Sequence, residues 1–227
     1  MCLKKFYLAS VLPAIFTSSF AFAEIKPYIE GQLNFVNPDE VSTNSLSGSV
    51  SGITYTNVRL DIDHGSDTTP GFEFGFYNFS NSNLRLGFSY MKPSIDLDTS
   101  TLSGTITDGV TTLTGAVGIT AADYRTVGLD FDNDVKQYMV NAYYDFNSEN
   151  NFKPFVGVGF GLADIDNAED KEFTYAGLLG ARYYFNENTY VGGKFSYSTI
   201  EGPKDKLGLT YEDIDFYTST VTVGIEF

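Results

Sequence analysis

The 227-residue sequence has no tryptophan, one histidine and one cysteine, and each scarcity removes a class of site. Because Cys2 stands at the start, the rest of the chain has no thiol for a disulfide, a nucleophile or a zinc centre. Only 14 Lys and Arg stand against 29 Asp and Glu, with no basic cluster, so we expect no nucleic-acid partner. The glycine run 157–161 lacks the following helix and Lys of a phosphate loop, and we expect no cofactor.

A long hydrophobic run is also lacking after residue 23, which excludes a membrane-spanning helix from the rest of the sequence. Residues 1–23 predict a signal peptide that is cleaved before Glu24. Lys4 and Lys5 give it a positive start, and residues 6–16 form its apolar stretch. Residues 21–23 form a cleavage site with small residues. The alternative, a retained anchor helix, is disfavoured by the short and interrupted apolar stretch. Residues 24–227 are then one β domain.

The remaining sequence is rich in Gly, Tyr, Phe, Thr and Val, which recur in runs divided by Asn, Ser, Asp and Gly clusters. This pattern is typical of β-strands, and helical periodicity is nearly absent. We predict eight strands, at residues 25–35, 71–79, 84–95, 135–146, 152–165, 173–185, 189–200 and 213–227.

The predicted connections alternate between short and long. Three are tight and rich in Asn or Ser, at 80–83, 147–151 and 186–188. Four are longer, at 37–70, 96–134, 166–172 and 201–212. Short periplasmic turns opposite long outer loops are typical of an outer-membrane barrel, whereas a soluble sandwich has no reason to sort its loops in this way.

Alternation within the strands supports the same fold. On the last strand Val221, Val223 and Ile225 share one face, while Thr220 and Thr222 lie on the other. We therefore predict an all-β protein, an eight-stranded antiparallel up-and-down transmembrane barrel. Residues 100–120 predict a hairpin that stands above the membrane, and ten strands would result if that hairpin joined the barrel.

Two segments carry a family resemblance: Asn-Ala-Tyr-Tyr-Asp-Phe at 141–146 and Lys-Pro-Phe-Val-Gly-Val-Gly-Phe-Gly at 153–161. Together they resemble the fourth and fifth strands of small OmpA-like and opacity-type barrels, to which the rickettsial surface antigens belong. The resemblance implies a bacterial outer-membrane location, contact with lipid and lipopolysaccharide, and recognition of the terminal Phe227 by the barrel-assembly machinery. Such barrels serve as anchors, adhesins and small channels, and a few are enzymes.

Side-chain parity places six charged residues inside the barrel: Glu30, Glu73, Glu226, Arg85, Arg182 and Lys194. Unpaired charges in a narrow interior are costly, so we expect ion pairs. The resemblance implies an interior salt-bridge network of the same kind. Glu30, Glu73, Arg182 and Lys194 are predicted at similar heights, with the other two nearer the rim. The four residues at similar heights form either a gate whose ion pairs exchange partners or a static polar core.

Asp-x-Asp pairs mark the outer strand ends, at Asp96 and Asp98, Asp130, Asp132 and Asp134, Asp164 and Asp166, and Asp213 and Asp215. A further pair, Asp61 and Asp63, is separated from its strand by Pro70. The acids form either a solvated rim or a site for divalent cations that bridge to lipopolysaccharide phosphates. Apolar residues between them take the inward parity and predict a closed hydrophobic throat, at Ile95, Leu97, Phe131, Ile165 and Ile214.

His64 and Ser66 invite comparison with the His-x-Ser pair of lipid A deacylase barrels, but they lie in the first loop rather than on a late strand. We therefore expect that the protein is not an enzyme. The sequence predicts a monomeric surface barrel whose lumen is closed by ion pairs and apolar side chains. The barrel anchors adhesive or ligand-binding loops, which would bind a host or surface ligand. The alternatives are a channel for small solutes or hydrophobic molecules and a lipid A-modifying enzyme.

Overall fold

The structure is a computed structural model that describes residues 25–77, 83–126, 133–146, 151–166, 168, 170–204 and 211–227. The predicted signal peptide, Asp130, Phe131 and Asp132 lie outside these residues. The described part contains fourteen strands and one short helix. In chain order they are β1 (Lys26–Pro38), β2 (Val41–Ser42), β3 (Leu46–Val50), β4 (Ile53–His64), β5 (Asp67–Tyr77), β6 (Leu84–Met91), β7 (Ser94–Ile95), β8 (Leu97–Thr107), β9 (Thr112–Thr120), α1 (Ala121–Thr126), β10 (Asn133–Asp145), β11 (Phe152–Ile165), β12 (Glu172–Tyr184), β13 (Thr189–Ile200) and β14 (Ile214–Glu226).

Eight of these strands close into an antiparallel barrel. The order around the barrel is β11, β12, β13, β14, β1, β5, β6 and β10, and β10 pairs back onto β11. The first and last strands of the chain meet, with Ile29 opposite Ile225. The predicted eight-stranded up-and-down barrel is confirmed, and the predicted strand bounds agree with the observed ones to within a few residues.

The outer wall of the barrel is apolar. On β14 the side chains of Thr220 and Thr222 are buried, whereas Val221 and Val223 are half exposed or more. A wide apolar band on the outside of a closed barrel suits lipid rather than water, because each apolar Å² exposed to water costs about 25 cal/mol. No helix among the described residues is long and apolar enough to cross a membrane.

Two prolines shift the strand bounds from the predicted ones. β5 begins at Asp67 and runs through Pro70, which was expected to lie in the loop before the strand. The β5–β6 ladder starts only at Gly71, so the missing N–H of Pro70 leaves no gap in it. The predicted strand 84–95 is interrupted at Pro93, whose carbonyl accepts a hydrogen bond from Val135, and pairing resumes in β7.

Five strands outside the barrel form a second sheet, here called the outer sheet: β2, β3, β4, β8 and β9. The predicted hairpin is confirmed in β8 and β9, and Asp108 accepts hydrogen bonds from the backbone of Val110 and Thr111 at its turn. This hairpin pairs with β4 rather than with the barrel, so the ten-strand alternative is wrong. β4 lies in the predicted loop 37–70. A bulge near Asn57, with φ 51°, breaks the alternation that would have marked it as a strand.

Candidate functional site

A buried carboxylate, Glu73 of β5, lies at the centre of the barrel interior and is 1% exposed. It accepts hydrogen bonds from the hydroxyls of Tyr28 and Tyr143, at 2.6 and 2.7 Å. Lys194 Nζ and Arg85 Nη1 lie 3.3 and 3.5 Å from its two oxygens. Two hydroxyl donors and two cations therefore compensate a charge that burial alone would make very costly.

A second centre is Arg85 of β6, which is also 1% exposed. Its Nη1 lies 3.9 Å from Glu30 Oε2, and its Nε lies 3.4 Å from Asp145 Oδ2. The guanidinium stacks over the ring of Tyr143, 3.9 Å from the ring centroid. Cation–π contact and ion pairing both hold this arginine across the lumen.

Arg182 of β12 extends the network. Its Nη1 lies 2.7 Å from Glu226 Oε1, and its Nη2 lies 2.7 Å from Asp145 Oδ2. Since Asp145 also contacts Arg85, it joins the two arginines into one network. The structure thus brings all six predicted lumen charges together, and Arg85 reaches Glu30 and Glu73 although it was expected nearer the rim.

Sequence reasoning missed several members of this network. Asp145 has the inward parity of Tyr143 in a strand that was predicted, so parity alone would have found it. Lys153 lies opposite Arg182 in the β11–β12 register, with its Nζ 4.6 Å from the ring centroid of Tyr184. The tyrosines were also missed, because parity was used to assign only charged residues to the interior. Four tyrosine hydroxyls donate to carboxylates of the network, from Tyr28, Tyr143, Tyr184 and Tyr190.

A small cavity touches the network. Its lining includes Asn34, Gln137, Asn141, Lys194 and Thr220, and its volume is about 30 Å³. A cavity needs about 10–15 Å³ to hold one water molecule, so this one has room for water beside Lys194.

Apolar side chains form a cluster here called the apolar cap: Val36, Val41, Ile95, Val135, Ala163, Ile200, Ile214 and Phe216, all between 0% and 6% exposed. Ile95 and Ile214 are two of the residues that predicted a hydrophobic throat. A third, Ile165, packs against the cluster. Leu97 begins β8, and Phe131 lies outside the described residues. The barrel interior therefore contains an ionic network and a separate apolar cluster.

Six described acids of the predicted rim have partners: three contact lysines and three accept hydrogen bonds. Asp134 pairs with Lys92, Asp164 with Lys171 and Asp166 with Lys136. Asp98 is exposed. Asp96 accepts a hydrogen bond from Ser94, Asp213 accepts one from Gly202, and Asp215 accepts one from Thr199. Across the part of the chain that the structure describes, no three acids or histidines converge as a metal site requires. This arrangement suits a solvated rim, where an ion pair contributes about 0–1 kcal/mol.

The outer sheet has two unlike faces. Directly opposite residues share a face, and the pairings place Leu60, Leu102 and Val117 in one row. The reverse face carries Thr105 opposite Thr114, whose hydroxyls lie 2.9 Å apart. Leu102 and Val117 are 47% and 63% exposed. Exposed apolar patches are typical of interaction surfaces.

At the base of the outer sheet, Asp61 Oδ1 accepts hydrogen bonds from Ser42 Oγ and Arg59 Nε, both at 2.6 Å. The Ser42 hydrogen bond, assisted by Arg59, lowers the pKa of the Asp61 carboxyl below its ordinary value. Burial lowers the pKa of nearby His64. Ser66 Oγ donates to Asn37 at 2.8 Å. The structure therefore gives Ser66 a hydrogen-bond partner other than His64.

Comparisons with known proteins agree with the observed fold. A family model described as the outer membrane protein beta-barrel domain matches residues 8–227. The outer membrane protein PagN of Salmonella typhimurium strain LT2 is 24% identical over 219 residues, which cover 86% of this chain and 83% of PagN.

Two solved structures are similar in backbone. The crystal structure of Neisserial surface protein A has a TM-score of 0.54 at 13% identity, covering 88% of this chain and 97% of that protein. The solid-state NMR structure of outer membrane protein AlkL in lipid bilayers has a TM-score of 0.51 at 17% identity, covering 92% and 93%. At these identities the likeness establishes the fold alone.

Proposed function

The chain belongs to the outer membrane β-barrel protein family and lies in the bacterial outer membrane, and we propose that it acts there as a closed barrel that displays the outer sheet. One observation carries this proposal. The ionic network crosses the barrel interior and the apolar cap lies at one end of the barrel strands, while five strands stand outside the barrel. In this proposal the barrel anchors the protein in the membrane, and the outer sheet binds the ligand.

Closure follows from what a solute would have to displace. In the ionic network, a passing ion would have to separate Glu73 from Lys194 and Arg85, which are at most 9% exposed and would be left as buried unpaired charges. In the apolar cap, it would have to shed its water among side chains such as Ile200 and Phe216. A static polar core therefore fits better than a gate.

The outer sheet supports a role in binding a host or surface ligand. Leu113 and Val117 are 70% and 63% exposed, which is unusual for large apolar side chains outside lipid. The apolar outer wall supports contact with membrane lipid and lipopolysaccharide. Phe227 follows β14 and is 65% exposed, which supports its recognition by the assembly machinery.

Planar-bilayer recording tests the closed barrel. The purified protein is expected to show no stable, defined conductance. Lys194→Ala leaves Glu73 with one cation, so we expect a higher conductance or a lower melting temperature. Lys171→Ala, which removes an exposed pair with Asp164, is the matched control and should change neither. Defined conductance from the unaltered protein would favour the channel for small solutes or hydrophobic molecules instead.

We also propose that the protein is not an enzyme. The hydrogen bond from Ser66 to Asn37 supports this, because a nucleophilic serine needs a base as its acceptor. His64→Ala is expected to leave the lipid A of the producing strain unchanged in mass spectrometry. A change in the acyl chains of lipid A would favour the alternative function, a lipid A-modifying enzyme.

A further inference from the structure

The strand β9 lies at an edge of the outer sheet. Its nine residues, Thr112–Thr120, pair with β8 on one side. On the other side, no strand of the described residues pairs with it. An edge of this kind presents a row of backbone N–H and C=O groups that are ready to accept another strand.

β9 lacks the features that normally protect an edge. Its sequence, Thr-Leu-Thr-Gly-Ala-Val-Gly-Ile-Thr, contains no charged residue and no proline. Every residue of β9 except Ile119 is exposed. The whole chain carries a formal charge of −15, whereas this edge strand carries none. Proteins that avoid edge-to-edge pairing place charges, prolines or bulges at such positions.

We propose that β9 pairs antiparallel with β9 of a second copy of this chain, around a twofold axis at Ala116. The two outermost positions at each end of the strand match when it is read in both directions, with Thr112 matching Thr120 and Leu113 matching Ile119. Residues that face each other across an antiparallel pair lie on the same face of the sheet. The opposed residues would be Thr112 and Thr120, Leu113 and Ile119, Thr114 and Gly118, and Gly115 and Val117.

Side-chain fit favours a second copy over an unrelated strand. Apolar Leu113 meets apolar Ile119, and Thr112 meets Thr120, so both faces of the outer sheet continue across the axis. Val117 meets Gly115, where an added Cβ would find nothing within 4 Å, so the valine has room. The axis itself brings two small alanines together. An uncharged edge is also where two acidic chains repel each other least.

The pairing deepens the proposed function, since it names a partner for the outer sheet, and it rests on that function. The hairpin leaves the barrel at Leu97 and turns at Asp108, so antiparallel pairing places the tip of one copy beside the base of the other. The two barrels then lie at opposite ends of a joined sheet. The sequence predicts a monomer. Pairing of two copies was not predicted, because the free edge of β9 is visible only in the folded chain.

Disulfide cross-linking tests the register. Ala116→Cys, oxidised in intact outer membranes, is expected to give a covalent dimer on a non-reducing gel, because the two cysteines meet at the axis. Gly118→Cys is the matched control on the same strand. The proposed register separates its two copies by four residues, about 13 Å along the strand, which is too far for a disulfide. Mixing Gly118→Cys with Thr114→Cys should restore a mixed dimer.

Two results would overturn the pairing. One is equal cross-linking of Ala116→Cys and Gly118→Cys, which indicates random collision. The other is no cross-link from an Ala116→Cys protein that a thiol reagent labels at the cell surface, which would leave β9 to a different partner. Conductance is recorded separately, so failure of the pairing is distinguishable from failure of the closed barrel.

Discussion

Replacing Glu73 with alanine is expected to lower the free energy of unfolding by about 3–5 kcal/mol, the range for breaking a buried ion pair from one side. The change leaves Lys194 without its carboxylate partner and removes one of the carboxylates near Arg85. It also removes the acceptor of the Tyr28 and Tyr143 hydroxyls. Urea unfolding in lipid vesicles, followed by the heat-modifiable shift on a gel, measures the loss.

Two further variants show whether the charge or the hydrogen bonds matter more. Glu73→Gln keeps a hydrogen-bond acceptor but not the charge, and an intermediate loss of stability is expected. Glu187→Ala removes an exposed acid from the turn between β12 and β13 and should be neutral. If Glu73→Ala unfolds at the same urea concentration as Glu187→Ala, the ionic network does not stabilise the barrel.

Gly75→Val is expected to prevent the barrel from closing, with a cost of at least about 3 kcal/mol. A Cβ on Gly75 would meet the carbonyl oxygen of Leu86, and it would lie 2.7 Å from Gly87 Cα and 2.8 Å from Tyr28 Cε1. The first two are backbone atoms of the neighbouring strand β6, which cannot move away without opening the β5–β6 ladder. The heat-modifiable band should be lost.

A matched glycine provides the control for this steric effect. Gly177 of β12 is exposed, and an added Cβ would meet nothing within 4 Å. Gly177→Val is therefore expected to assemble like the unaltered protein. Equal assembly of the two valine variants would show that β5 and β6 lie farther apart than the structure places them.

The sequence by itself determined the barrel: its eight strands, its apolar outer wall and the inward direction of charges such as Glu73 and Arg182. These features depend on side-chain alternation, which each strand carries locally. The same parity also reaches Asp145. Pro70 and Pro93 shifted the strand bounds because their effect depends on which side of the strand is paired, and that is a property of the neighbouring strands.

Only the tertiary structure decided which groups meet. Asp145 joins Arg85 to Arg182 because the stagger of β6, β10 and β12 brings the three side chains together, and no one strand encodes that stagger. The outer sheet was hidden for the same reason. Its strand β4 is defined by pairing with β8, from another loop of the chain, and the bulge near Asn57 masks its local pattern. The free edge of β9 exists only once that pairing has formed, since an edge is a property of the whole sheet.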